Sequence, residues 1–467
     1  MAGPLTATGK HSRRIHLGDM AVAVPSNISR CGDTTTACSY VTRIRHILRL
    51  TNNKRLLYYC LLKMEAAMKP SKMLSSFMQA ISEGLSKPMK GYVRDMLFGI
   101  SVGRSTMLSE IGRSLGEEAD LITTEMRLSR NLVNRNLDED SMRERYLKAV
   151  SPFVQNAVVA LDFSEIRKEY AEKQEWLCGI WDDTRKEKGH GYWLLNIEAI
   201  DGEHRHFPLW LEPFSQNAPG YKSQAAVVEA AIQKVAAHTG KNCVWVLDRG
   251  FDGASYIEIL ERAGLTYCVR QTGRRKVTAD DGRPALTTEI AEKMETPHIG
   301  KWRVVEKGKE FPVLFRYGSA RITFPSDGKT RQLIVVRIGK HHNPLMLLTN
   351  SMAHSVAAIE KIAIAYFKRW GIEEGTRLVK QIFDLENVRA MSFAGIRRVV
   401  LFAYLAYGFL CLFAKQAGKT ALRLALRFYK SFTPKTPPHF IYYRLAHALA
   451  AIFLGEGPPG EFNVENV

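Results

Sequence analysis

Three acidic residues in this 467-residue chain occupy positions where chemistry could be done. Asp162 follows the apolar run Asn156-Ala157-Val158-Val159-Ala160-Leu161, and Asp248 follows Asn242-Cys243-Val244-Trp245-Val246-Leu247. Glu373 lies on a helical stretch expected from about Ser355 to Gln381. A side chain at the carboxyl end of a strand sits on the rim of the sheet, where open α/β sheets gather their ligands. Strands also end in Asp because Asp starts turns, so neither aspartate alone decides the matter. After Asp248 comes Arg249-Gly250-Phe251-Asp252-Gly253, a glycine-rich turn that lets backbone pack closely against the carboxylate.

The third acid has unusual company. With Tyr366 as origin and about 100° per residue, Arg369, Glu373 and Lys380 share an arc of roughly 60° with it, and Arg377 falls on the same face. An i,i+4 ladder of Arg369, Glu373 and Arg377 is one explanation, but it needs neither Tyr366 nor Lys380. Hard divalent cations take carboxylate oxygens, and phosphoryl transfer on DNA is well served by two such ions about 4 Å apart. Cations on the same helix would neutralise the flanking phosphates. A glycosidase-type carboxylate pair would leave the three cations of the stripe unexplained.

Composition fits this chemistry without choosing it. The chain is 46% hydrophobic and 24% charged, a globular balance with room for two or three domains, which excludes disorder, collagen-like repeats and a small disulfide scaffold. Its net charge of +19 and pI of 9.6 suggest a polyanionic partner. Residues 1–72 carry +9 and residues 391–467 carry +6, which leaves +4 for the middle. A merely soluble basic surface would give the same total. The seven cysteines form no C-x-x-C pair, and Cys178, Cys243 and Cys268 sit in apolar runs as reduced thiols do. A reducing cytoplasm is expected. Arg13-Arg14 is followed by no apolar stretch of signal-peptide length. Val399 to Ala414 lacks charge but is shorter than the roughly 20 residues a membrane span needs, so it is expected to be a buried helix, with no membrane partner.

These sites need elements to hold them. Residues 1–50 read as a loose basic arm and 51–150 as a helical DNA-binding domain, with apolar i, i+3, i+4 spacing as in Met73-Leu74-Phe77-Met78-Ile81. Within it, Ser105 to Leu115 followed by a helix through Arg127, Arg130 and Asn131 forms either a helix-turn-helix, turning near Gly112 or Gly116, or an ordinary helix pair. Residues 151–265 and 351–390 read as an α/β catalytic domain with a mixed sheet, interrupted by an all-β insertion at 266–350. Residues 391–467 read as a C-terminal helical region.

The spacing Tyr366-x2-Arg369-x3-Glu373-x6-Lys380, with Leu247-Asp248-Arg249-Gly250, resembles the signature of the DDE transposases of bacterial insertion sequences, in the insertion sequence 4 family. The resemblance covers roughly Ala157 to Met391. It implies an RNase H-like fold in which Asp162, Asp248 and Glu373 bind two Mg²⁺ ions, with Mn²⁺ able to substitute. It also implies that Tyr366, Arg369, Arg377, Lys380 and Arg249 contact DNA. Double-stranded DNA, as transposon ends and as target, is the implied partner, with a homodimer in the synaptic complex and a bacterial cytoplasmic, nucleoid-associated location. The implied activity is binding of terminal inverted repeats, end cleavage and strand transfer. Two other classes stay open: a catalytically inactive regulator that binds DNA, and an RNase H-like nuclease without strand transfer. Glu165 competes with Asp162 as first acid, although strand alternation places it on the opposite face. Trp302 and Trp370 are expected in the core, and His341-His342 at a solvated hairpin tip.

Overall fold

A computed structural model describes residues 70–182, 185–201, 205–306, 309–339, 343–417 and 440–456. The expected arm at 1–50 and the His341-His342 tip lie outside these residues. After a helical stretch at 70–81 come α1 (Lys87–Gly103), α2 (Leu108–Leu115), α3 (Leu121–Leu132) and α4 (Glu139–Val150). The α2 to α3 turn is made at Gly116, whose φ of 62° is the left-handed conformation glycine adopts freely. Gly112 lies where α3 packs: a Cβ there would meet Leu121 and Thr124. The helix pair expected from the sequence is therefore present.

The sheet begins with β1 (Val158–Arg167), β2 (Cys178–Asp182), β3 (Glu187–Asp201) and β4 (Arg205–Phe214). Helix α5 (Gln224–Ala236), capped by the Ser223 hydroxyl, leads to β5 (Val244–Leu247), α6 (Ala254–Arg262) and β6 (Thr266–Arg270). Then follow β7 (Lys276–Ala279), β8 (Pro284–Leu286), α7 (Thr287–Lys293), β9 (His298–Glu306), β10 (Lys309–Thr323), β11 (Thr330–Ile338) and β12 (Leu345–Thr349). The strand order is β2-β3-β1-β5-β6-β12-β11-β10-β7-β8, with β4 on β3 and β9 on β10. Only β1/β5 and β5/β6 pair in parallel among the described strands. Residues 266–350 thus extend the same sheet and contain the helix α7, which corrects the expectation of an all-β insertion.

Parallel strands covered on both faces read as unbroken apolar runs, and the runs 157–161 and 243–247 that lead through β1 and β5 are of this kind. Val158, Ala160, Val244 and Val246 enter one core, against α8 (Val356–Lys368). Val159, Leu161, Trp245 and Leu247 enter a larger one shared with the helices. There α10 (Phe393–Gln416) is buried over 94% of its apolar window. A helix apolar all round can be a core helix as readily as a membrane span, and burial within the chain is the expected outcome. It packs on β4 and α1, and α11 (Tyr442–Glu456) lies beside it.

One long helix from Ser355 to Gln381 is not what forms. Helix α8 ends at Lys368 and α9 runs from Gly371 to Ile382. Across the junction the Arg369 N–H bonds to Tyr366 O and the Glu373 N–H to Trp370 O, i to i+3 spacing that turns faster per residue than an α-helix. The stripe drawn at about 100° per residue therefore does not carry through.

Candidate active site

Strand β1 does not stop at Asp162, as expected, but continues to Arg167, because it pairs with β3 along its whole length, from Val158↔Ile200 to Arg167↔Gly191. What stops is its parallel partner. Pairing with β5 ends at Leu161↔Leu247, so Asp162 and Asp248 are the next residues on neighbouring strands. By alternation both continue the face of Val158, Ala160, Val244 and Val246, the face on which α8 packs. Asp248 caps the short 3₁₀ turn Arg249–Phe251, its Oδ1 accepting the Gly250 N–H at 2.7 Å. Arg249 is exposed. The other acid of that turn, Asp252, serves structure: it accepts the Thr272 N–H at 2.7 Å and pairs with Arg275 at 2.7 Å.

Glu373 arrives through Arg369. Arg369 Nη1 is 3.6 Å from Asp162 Oδ2, and Nη2 donates to Glu373 Oε1 at 3.2 Å. One guanidinium thus joins the first and third acids. Burial, aided by repulsion from Asp248 and Glu373, pushes the Asp162 carboxyl up to about 7; Arg369 and the Phe163 N–H pull it back. Asp162 therefore feels the charges of the other two acids. Oxygen-only donors with mutual repulsion fit a hard divalent cation by chemistry, but among the described residues no three carboxylates, imidazoles or thiols are close enough to hold one.

The remaining expected residues separate. Tyr366 is buried, 3% exposed, in the core against which α8 packs. Burial raises its phenol, and its ring lies 5.9 Å from the Arg369 guanidinium. Lys380 Nζ pairs with Glu165 Oε1 at 2.6 Å, so Glu165 is committed to α9 and Asp162 is the acid facing Arg369. Arg377 pairs with Glu374 at 2.7 Å, not with Glu373, and is half exposed. Trp370, expected in the core, is 68% exposed at the helix junction, whereas Trp302 packs on Phe367 as a core residue would.

A supporting layer was missed in the sequence. Beneath α9, buried Glu198 accepts from His206 Nδ1 at 2.7 Å and from the Tyr407 hydroxyl at 2.8 Å. Asn196, also buried, donates to Thr376 of α9 at 2.9 Å. A Cβ on Gly371 would stand 2.6 Å from His206 Cε1. The signal for this layer was the glycine pair Gly371 and Gly375, four apart on either side of Glu373, where helix propensity alone disfavours glycine.

A mixed sheet thus carries two aspartates at adjacent strand positions, with Arg369 linking the first of them to Glu373 at the start of α9. Residues 148–409, more than half of the chain, match the family described as the transposase DDE domain, and the chain belongs to that family of transposases. Comparison with curated proteins gives no match. Among solved structures, the chain is similar to a piggyBac transposase in a cryo-EM synaptic complex with hairpin DNA, at 10% identity and a TM-score of 0.38, over 84% of this chain and 81% of that one.

Proposed function

We propose that this transposase cuts DNA at the terminal inverted repeats of a bacterial insertion sequence, of the insertion sequence 4 family, and joins the freed 3′-hydroxyls to target DNA, with Asp162, Asp248 and Glu373 as its catalytic acids. The observation that carries the reading is the register of β1 and β5, which places Asp162 and Asp248 side by side at the point where parallel pairing ends. The fold is read as RNase H-like on the same ground.

The three carboxylates would hold two Mg²⁺ ions, or Mn²⁺ in their place, only after drawing closer together than they lie here. When bound, such ions activate the attacking hydroxyl and stabilise the leaving oxygen. The chain's own residues do the rest. Arg369 fixes Asp162 relative to Glu373, and Tyr366 backs Arg369 with its ring 5.9 Å from the guanidinium. Exposed Arg249 beside Asp248 and Arg377 on α9 are available to backbone phosphates. Lys380, the remaining cation of the signature, acts from its Glu165 pair. The basic N-terminal region, +9 over residues 1–72, would bind the repeats. Two ends brought together call for at least a homodimer, in a bacterial cytoplasm at the nucleoid.

A cleavage assay on duplexes carrying the element's ends, with Mg²⁺ or Mn²⁺, tests this. Nicked and joined products are expected. Binding without nicking would instead mark a regulator, and cleavage without joined products a nuclease.

A further inference from the structure

The row that holds Asp162 and Asp248 has a third member, and it is a cation. Pairing of β5 with β6 ends at Leu247↔Val269, level with the end of β1/β5 pairing at Leu161↔Leu247. The next residues on the three strands are Asp162, Asp248 and Arg270. Arg270 keeps the face of the two acids: it follows Cys268 by alternation and is paired with Leu347 of β12, and both of these lie in the core on which α8 packs. Neighbouring strands are about 4.8 Å apart, so Arg270 stands beside Asp248 as Asp248 stands beside Asp162. It is half-buried. Burial raises the Tyr366 phenol, and the charges of Arg369 and Arg270 oppose that rise, which makes Arg270 a neighbour of the Tyr366–Arg369 pair.

The two arginines differ in what they hold. Arg369 is engaged by Asp162 and Glu373. Arg270 forms no ion pair among the described residues, although Asp248 is next to it in the row; Asp248 Oδ1 instead accepts the Gly250 N–H. A phenol accepts from at most two of the five N–H donors of a guanidinium, so the fork keeps donors for an acceptor from outside. We infer that Arg270 is a catalytic residue that grips a non-bridging oxygen of the DNA phosphate being cut. The inference rests on the acids being the cleavage site proposed above. A guanidinium fork matches phosphate oxygens and stays charged. Arg270 makes and breaks no bond and gives up no proton: it holds the charge on that oxygen while the bond from the attacking oxygen to phosphorus forms and the bond to the departing 3′ oxygen breaks.

The test is single-turnover cleavage by the full chain of duplexes carrying the element's ends, with Glu373→Gln run beside the Arg270 variants. Arg270→Gln should keep the wild-type circular dichroism, bind the duplex within a few-fold of wild type by gel shift, and cleave about 10²-fold more slowly, the loss that follows removal of one donor aimed at transition-state charge. Arg270→Lys keeps the charge without the fork and should recover part of the rate. The contacted atom is read from end duplexes carrying each isomer of a methylphosphonate at the cut, which deletes one non-bridging oxygen at a time. One isomer should slow wild type yet slow Arg270→Gln little further, because the contact is lost only once. An arginine that merely supports the fold would let the two losses multiply for both isomers. Should Arg270→Gln unfold, Arg270→Lys takes its place in the same comparison. Losses that multiply for both isomers, or a cleavage rate within a few-fold of wild type while Glu373→Gln is inactive, overturn this inference alone. If Glu373→Gln also cleaves like wild type, the reading of the acids falls and this inference with it.

Discussion

Gly375 of α9 and Glu198 of β3 are so close that a methyl group on Gly375 would stand 2.0 Å from Glu198 Oε2. The helix that carries Glu373 is therefore seated directly on a buried carboxylate, itself held by His206 and Tyr407. Because Gly371 makes the same close approach over His206, the first turn of α9 has one height above the sheet.

Gly375→Ala reverses the usual sign of a helix substitution. In a free helix, alanine would stabilise by about 1 kcal/mol over glycine. Here the added methyl must push α9 off Glu198, an overpacking that costs roughly 1–3 kcal/mol. Chemical denaturation should show a lowered midpoint, and end cleavage should fall further than the stability loss explains, because Glu373 moves with the helix. A midpoint unchanged or raised would show that α9 does not lie where described.

Arg331 binds the far side of the sheet together. Its guanidinium is 2% exposed yet meets Glu261 at 2.8 Å, Asp327 at 2.6 Å and the Tyr267 hydroxyl at 3.2 Å, over the Phe324 ring. Arg331→Met leaves Glu261 and Asp327 without their buried partner, and breaking such a network costs about 3–5 kcal/mol. Unfolding in urea measures it. The Asp327 carboxyl, held down to about 2 mainly by its hydrogen bond from Arg331, adds a second signature: its stabilisation, present above the ordinary Asp value, fades in wild type as pH falls toward 2, and Arg331→Met should lack that dependence.

How far the sequence led can be judged from single residues. The runs 156–161 and 242–247 contain no polar position after their first residue, which is the mark of strands buried on both faces, and they are β1 and β5. The acids that follow them, and Glu373, were legible as types at the right places. Where strand and helix end was not. Asp162 looked terminal because its parallel partner ends there, while the antiparallel pairing with β3 that prolongs β1 is a long-range fact. The junction at Arg369 and Trp370 was hidden because both residues keep helical dihedrals and only the bonding step changes. Tyr366, within α8, is buried, and Trp370, at the junction, is exposed. Glu198 could not be singled out at all, since its role comes from His206, Tyr407 and Gly375, which meet only in three dimensions.

Asp162 and Glu373 should prove equally necessary to catalysis. Asp162→Asn and Glu373→Gln keep shape and remove charge, and each should reduce Mg²⁺-dependent end cleavage by at least about 10³-fold if the carboxylates act as one unit. Circular dichroism and a gel shift should show folding and DNA binding retained. Cleavage within a few-fold of wild type in either variant would remove that residue from the site.

Lys168 gives the clearest pH dependence. It is 7% exposed, just past the end of β1, with its ammonium donating to the carbonyls of Glu386 and Val388 beyond α9. Burial lowers its pKa to about 8, partly offset by Glu386 and Asp384, against about 10.4 in an unfolded chain. Between these values the folded chain has released the proton and the unfolded chain keeps it. Stability therefore rises with pH across roughly 8 to 10, by at most about 1.4 kcal/mol per pH unit for one proton. Below pH 8 both states are protonated and this dependence vanishes. The difference in unfolding free energy between wild type and Lys168→Met isolates the effect from the tyrosines that titrate higher. It should be flat from pH 6 to 7.5 and then move in favour of wild type up to pH 9.5; a flat difference throughout would mean that the ammonium is solvated rather than held by those two carbonyls.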